Sequence, residues 1–281
     1  MKTSTADTIN SALCTKYLLM NENIILAFTL TLIAGLSTGI GSAIALFLKK
    51  PNEKFLTFSL GLSAGVMTYV SFMEMMPESL SQLQEIYSEK QSNIYMILAF
   101  FAGIALIALI DNLISKDTNP HEIYTSKEDD NRRLKRTGLM VALAIVIHNF
   151  PEGLATFTAA LVDIDVALPI MFAIAIHNIP EGIAVSIPIY HATGNKKKAF
   201  YLSFLSGMAE PLGALLGYLF LQSIWTPTLN ALILAFISGI MIYISYDELL
   251  PNTERYGYHH LGVFGIIAGM GIMAFSLICY L

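Results

Sequence analysis

The chain has 281 residues, 55% of them hydrophobic and 13% charged, with a net charge of −5 and a mean hydropathy of +0.61. A soluble domain carries about 25% charged residues, so the composition excludes an ordinary soluble protein and points to one embedded in a membrane. No basic tract interleaved with aromatics is present to bind nucleic acid, and two cysteines, Cys14 and Cys279, build neither a thiolate cage nor a disulfide framework.

Residues 1–23 are mixed and polar, unlike the short basic segment that leads to a cleavage site. A transmembrane helix takes about 20 mostly apolar residues. By that measure eight helices are predicted, at 24–48, 55–78, 93–115, 138–160, 166–190, 198–222, 228–250 and 259–281. The sixth holds Glu210 near its middle. The expectation is an all-α integral membrane protein, with 1–23 as a polar outer tail and 24–281 as a single eight-helix transmembrane domain. The segment 116–137 reads as a solvated cytoplasmic loop; His121 within it is a surface histidine or a regulatory metal contact.

Basic residues set the orientation, because cytoplasmic loops are rich in Lys and Arg. The loops after the first, third, fifth and seventh predicted helices hold Lys49, Lys50 and Lys54, then Lys116, Lys127, Arg132, Arg133, Lys135 and Arg136, then Lys196, Lys197 and Lys198, and finally Arg255. These are 13 of the 16 basic residues. Both termini are therefore expected outside.

The second and seventh helices repeat one another. Gly65-Val66-Met67-Thr68-Tyr69-Val70-Ser71-Phe72-Met73-Glu74-Met75-Met76-Pro77 and Gly239-Ile240-Met241-Ile242-Tyr243-Ile244-Ser245-Tyr246-Asp247-Glu248-Leu249-Leu250-Pro251 share six of thirteen positions. By the expected topology they run in opposite directions. Inverted repeats mark transporters that bind substrate at the repeat interface near the midplane.

Two nearly identical motifs fall mid-span in the fourth and fifth helices. They are His148-Asn149-Phe150-Pro151-Glu152-Gly153 and His177-Asn178-Ile179-Pro180-Glu181-Gly182, 29 residues apart. Residues three or four apart share a helix face, so each helix offers an imidazole, an amide and a carboxylate together. Ionisable groups at that depth are expensive and read as functional by default. Pro151 and Pro180 each leave a carbonyl unbonded one turn back and kink the helix beside these groups. Gly153 and Gly182 allow close helix approach. Glu210, followed by Pro211, joins the set from the sixth helix. Nitrogen and oxygen donors without thiolate suit zinc, iron(II), manganese, cobalt and cadmium. Three carboxylates in one low-dielectric site cannot all stay ionised without a cation, so ion binding is expected to be linked to protons.

Other residues keep two readings. Met67 is a packing residue or a soft ligand. Glu74 collects ions at the entrance, and Asp247 and Glu248 receive them at the exit, or all three are interfacial carboxylates reaching water. His191 assists release or is a solvated helix-end histidine. Asp111 lies near the inner interface, and His259 and His260 read as surface residues.

The two motifs, with Ser206-Gly207-Met208-Ala209-Glu210-Pro211-Leu212-Gly213, resemble the ZIP (Zrt/Irt-like) family of metal transporters, and most of all its bacterial ZupT-like branch. The resemblance implies a binuclear metal centre. Its primary site would be His148, Glu152, His177 and Glu181, with Met67 able to contribute. Asn149, Asn178 and Glu210 would form the adjacent site, bridged by Glu152 and Glu181. It further implies a 3+2+3 helix arrangement, a homodimer in lipid, and import into the cytoplasm by a moving helix bundle. The chain departs from many eukaryotic members in lacking a histidine-rich loop and a second histidine in the fifth-helix motif, which favours a broad divalent range. A membrane-embedded di-metal enzyme or a metal sensor is the alternative reading of the same residues.

Overall fold

A computed structural model of the chain describes residues 24–43, 47, 53–114, 127–162, 164–221 and 226–280. The tail 1–23, Cys14 and His121 lie outside the described residues. Long helices in chain order are α1 (Ile24–Ala43), α2 (Glu53–Gln84), α3 (Glu89–Ile114), α4 (Lys127–Val162), α5 (Ile164–Thr193), α6 (Lys196–Phe220), α7 (Pro227–Glu254) and α8 (His259–Tyr280). Among the described residues there is no strand. Among the described residues, seven helical segments, in α1, α2, α3, α4, α6, α7 and α8, are long and apolar enough to cross a membrane by length and composition. The chain is an all-α, multi-pass membrane protein.

Local chemistry sets the helix starts. The Asn195 side chain accepts from the Lys198 amide at 3.0 Å and caps α6. Thr226 accepts from Leu229 at 3.1 Å and caps α7, with Pro227 in the first turn where a missing N–H costs nothing. Gly194 and Gly257 turn the chain between α5 and α6 and between α7 and α8 with φ of 65° and 74°, which side chains disfavour.

One expectation is corrected here. Residues 127–137 are not part of a solvated loop but the first turns of α4. Leu134, Thr137, Val141 and Ile145 are all buried. Their three- and four-residue spacing gives α4 an inward face well before the predicted span at 138.

The helices pack in two groups. In one, α4 lies against α5 and the second half of α6, and α1 lies on α5 and α6; in the other, α2 pairs with α8 and α3 with α7. Glycines on both sides let backbone meet backbone. A Cβ on Gly153 would strike the Glu210 carbonyl oxygen, and one on Gly213 that of Phe150. Gly41 and Gly182 pair α1 with α5 in the same reciprocal way, and Gly103 and Gly239 pair α3 with α7. Close approach of this kind replaces the hydrophobic drive that lipid does not supply.

α2 and α7 run in opposite directions. The last turns of α2 lie on the first half of α7, with Ser79 donating to the Ala231 carbonyl at 2.6 Å and Ser238 to that of Ser71 at 3.2 Å. Each helix widens into a π-helical turn within the repeated segment, at Ser71–Met75 and Ile244–Leu249. In both, a proline follows, Pro77 or Pro251, whose missing N–H frees a carbonyl one turn earlier.

Gly239→Ala is expected to lower stability by about 1–3 kcal/mol, since the rigid Phe100 carbonyl fills the space its methyl needs. Gly271→Ala, with nothing within 4 Å, should change it by less than about 1 kcal/mol. Thermal unfolding of the two variants in detergent measures the contrast.

Candidate metal centre

The two repeated motifs converge. On α4, His148 and Glu152 stand one turn apart with His148 Nε2 at 3.1 Å from Glu152 Oε2. From α5, His177 Nε2 reaches the other oxygen of the same carboxylate at 3.0 Å. Glu181 Oε1 lies at 3.8 Å from His148 Nε2. The two imidazole rings are 5.9 Å apart and inclined at 46°. One donor atom each from His148, Glu152 and His177 falls within 4.8 Å of the others. Three donors so disposed could hold an ion at the ~2.0–2.2 Å that zinc takes to nitrogen and carboxylate oxygen.

A second layer stands beside the first. Gly153, the residue after Glu152, lies against the Glu210 backbone, so α6 delivers Glu210 to the same depth. Pro211 gives no N–H to the Gly207 carbonyl, and α6 is interrupted at Met208 just before the glutamate. Asn178 donates both to Glu210 and to the Ala34 carbonyl, the latter at 3.1 Å. Asn149, Asn178 and Glu210 are each fully buried.

These groups are not satisfied by protein alone. Among the described residues, both amide atoms of Asn149, the Oδ1 of Asn178, the Nδ1 atoms of His148 and His177, the Glu181 carboxylate and one oxygen of Glu210 take part in no hydrogen bond. Buried polar atoms without a protein partner are rare, and an ion or an ordered water can complete them. The nitrogen and oxygen donor set fits a borderline or hard divalent cation.

A cleft of about 670 Å³ leads from His148, Pro151 and Glu152 past Glu74 to Glu78, Gln82 and Asn230. It opens toward the end of the bundle where α2 turns into α3. Glu74 sits in the π-helical turn of α2, on the cleft wall. Glu78 was not singled out from sequence, although its place one turn beyond Glu74 was the available signal. Met67 is buried in the largest apolar core with Val66, Val70 and Met241, as packing requires.

The opposite end, where α7 turns into α8, is closed by charge. Glu248, in the π-helical turn of α7, is fully buried, which removes the reading that it reaches water. Arg136 of α4 bonds Asp111 of α3 and lies 3.0 Å from Glu248. Thr137 donates to Glu248 at 2.9 Å, and Asn252 donates to Thr137 at 2.9 Å. Asp247 has a carboxylate oxygen within 4.8 Å of those of Asp111 and Glu248. Arg136 and Asn252 were also missed. Counting back by fours from His148 through Ala144 and Met140 lands on Arg136, so helical register carried the signal that its place in a charged stretch concealed.

The His191 ring is 6.2 Å from that of Tyr256 at the α7–α8 end. His259 is exposed, 3.3 Å from Glu254, and His260 is exposed beside it.

Comparison with known proteins matches this arrangement to a family. The family model described as ZIP Zinc transporter matches residues 21–136 and 115–277. A protein named zinc transporter ZupT from Streptococcus mutans is 55% identical over 264 residues, covering 93% of this chain and 100% of the relative. One of the same name from Clostridium perfringens is 51% identical over 278 residues, covering 92% and 98%. A third, from Nitratidesulfovibrio vulgaris, is 52% identical over 272 residues, covering 92% and 98%. The chain belongs to the ZIP zinc transporter family, whose members are membrane transporters rather than enzymes.

Proposed function

We propose that this protein imports zinc, together with iron(II), manganese, cobalt and cadmium, across the cell (inner) membrane into the cytoplasm. One observation carries the reading: His148, Glu152 and His177 converge from two antiparallel helices in the membrane interior, at the foot of an open cleft. A resident structural ion would be enclosed by its ligands; a cargo needs a route. His148, Glu152, His177 and Glu181 form the primary site, Asn149, Asn178 and Glu210 the adjacent one, and Glu152 and Glu181 bridge them. Met67 is able to contribute to the primary site.

The domain is 24–281, with eight spans that include α5 in a 3+2+3 arrangement and both termini outside. The antiparallel course and matching π-helical turns of α2 and α7 support the inverted repeat. Lys54, Arg136, Lys196 and Arg255 gather at the α7–α8 end, which supports a cytoplasmic placement for it. The cleft then faces outside, with Glu74 at the entrance, and Asp247, Glu248 and His191 lie on the exit side. The separate packing of α1, α4, α5 and α6 supports a bundle that moves as a body against α2, α3, α7 and α8. Lipid covers the apolar outer faces, and two copies associate as a homodimer.

His177→Ala and Glu181→Ala should each lower zinc uptake into liposomes by more than the about 10–100-fold that losing a group behind the ligands typically costs. A trapped indicator reads the uptake, and wild-type rates in both variants would overturn the site. Manganese, iron(II) and cadmium should each slow zinc uptake by the wild type in the same assay, whereas a strictly zinc-selective carrier would ignore them. Zinc added to the purified protein in weak buffer should release protons to a pH dye, because the carboxylates exchange protons for the cation. A silent dye alongside measured zinc binding would remove the proton linkage.

A further inference from the structure

The Arg136 network lies between the two helix groups. Arg136 and Thr137 belong to α4, in the group that holds the metal candidates; Asp111 and Glu248 belong to α3 and α7, in the other. Across the same boundary the opposite end is open, with the cleft running between α2 and α7 on one wall and α4 on the other. The boundary is thus open at one end, and at the other buried charge crosses it alongside apolar packing of both groups. Arg136 is only 8% exposed and Glu248 is fully buried, so these contacts are part of the packing and not a surface ion pair.

The chemistry of the closure is specific. Asp111, Asp247 and Glu248 bring carboxylate oxygens close together on α3 and α7. Two buried carboxylates, Asp111 and Glu248, beside the partly buried Asp247 need a positive charge. Arg136 provides one that is tethered to the other helix group, and its planar fork reaches two carboxylates at once. A divalent ion travelling from His148 and His177 toward this end brings positive charge of its own. It would take over the pairing that Arg136 supplies, and the two groups would then be free to separate.

We propose that Arg136 is a positioning residue for transport, a tethered cation that latches α4 onto Asp111 and Glu248 while the cleft is open and gives way to the leaving divalent ion. The latch rests on the transporter reading above for which side is cytoplasmic. It makes closure at one end and opening at the other two faces of one motion, since the group that carries Arg136 also forms one wall of the cleft. A ligand shifts such an equilibrium only through its different interaction with the two states, and replacement of the guanidinium by the cargo is that difference.

The test uses the full chain with Cys14→Ser and Cys279→Ser, which removes both native cysteines. One reporter is Ser245→Cys, buried one turn before Glu248 on α7; the other is Gln82→Cys, on the wall of the cleft. Each is labelled without zinc by an impermeant maleimide, from the cytoplasmic side for Ser245→Cys and from the outer side for Gln82→Cys. Arg136→Gln should speed the first by about tenfold and slow the second, a population shift toward the inward-open state. Arg136→Lys, a single ammonium that holds one carboxylate at a time, should fall between. Arg136→Gln combined with Asp111→Asn and Glu248→Gln removes charge from both sides, so neither carboxylate that Arg136 holds is left buried without its cation, and it should repeat the result. Faster labelling at both reporters would mean general loosening and would overturn the latch, as would unchanged labelling at Ser245→Cys. Equilibrium dialysis of zinc on the same proteins separates the two readings. Absent zinc binding in the parent chain counts against the metal centre, whereas the labelling contrast alone decides the latch.

Discussion

The cost of placing charge in a low-dielectric interior governs this structure. Removing a carboxylate or an imidazolium from water costs several kcal/mol even after relaxation, and no lipid group recovers it. Each buried ionisable residue among those described near the axis therefore stands in a cluster. Glu152 lies between two imidazoles, Glu210 takes the amide of Asn178, and Glu248 takes the guanidinium of Arg136. The clusters differ in whether a fixed side-chain cation is present. The Arg136 cluster contains its own cation. The histidine and glutamate cluster leaves buried donors and acceptors unmatched, and a cleft leads to it.

Backbone contact is what allows these clusters to form. His148, Glu152, His177 and Glu210 come from three helices, and their side chains meet only if those helices approach more closely than side chains permit. Gly153 against Glu210, Gly213 against Phe150, and Gly182 against Thr38 provide that approach. The prolines act with them. Pro211 follows a break in α6 at Met208, two residues before Glu210, and Pro77 and Pro251 follow the widened turns that carry Glu74 and Glu248. Irregular backbone inside a membrane is tolerated where protein or a wet cavity covers it, and here it coincides with Glu74, Glu210 and Glu248.

The packing also gives the molecule a natural division. α2 with α8 and α3 with α7 form close pairs, and α4 binds α5 and α6 in the same manner. Between these groups the contacts are fewer; the largest apolar cluster spans them, and polar contacts cross with it, including Ser63 to the Pro180 carbonyl at 3.1 Å and the Arg136 cluster. Polar contacts that can be exchanged for water or for an ion suit a boundary that changes. Interlocked glycine contacts, with no space for sliding, suit the interior of each group.

Much of this was legible in the chain alone. Composition and apolar runs determined a helical membrane protein, because a chain crossing lipid must satisfy its backbone internally. The repeated motifs singled out His148, Glu152, His177 and Glu181, because ionisable residues at mid-span demand a reason. The glycine positions foretold close approach and Pro211 the break in α6, since both follow from backbone chemistry at a single residue, whereas α4 and α5 run on as α-helix through Pro151 and Pro180. Tertiary structure decided what depends on distant neighbours. The sequence counted Arg136 among loop cations, and only the packing of α4 on α3 and α7 shows it buried on Asp111 and Glu248. For Glu248 the sequence offered an exit carboxylate or an interfacial one reaching water, and its burial against Arg136 and Thr137 came only with α4 in place. The cleft, too, is a property of helices far apart in the chain. A residue's own type sets the cost of burying it, but which group meets that cost is set by the fold.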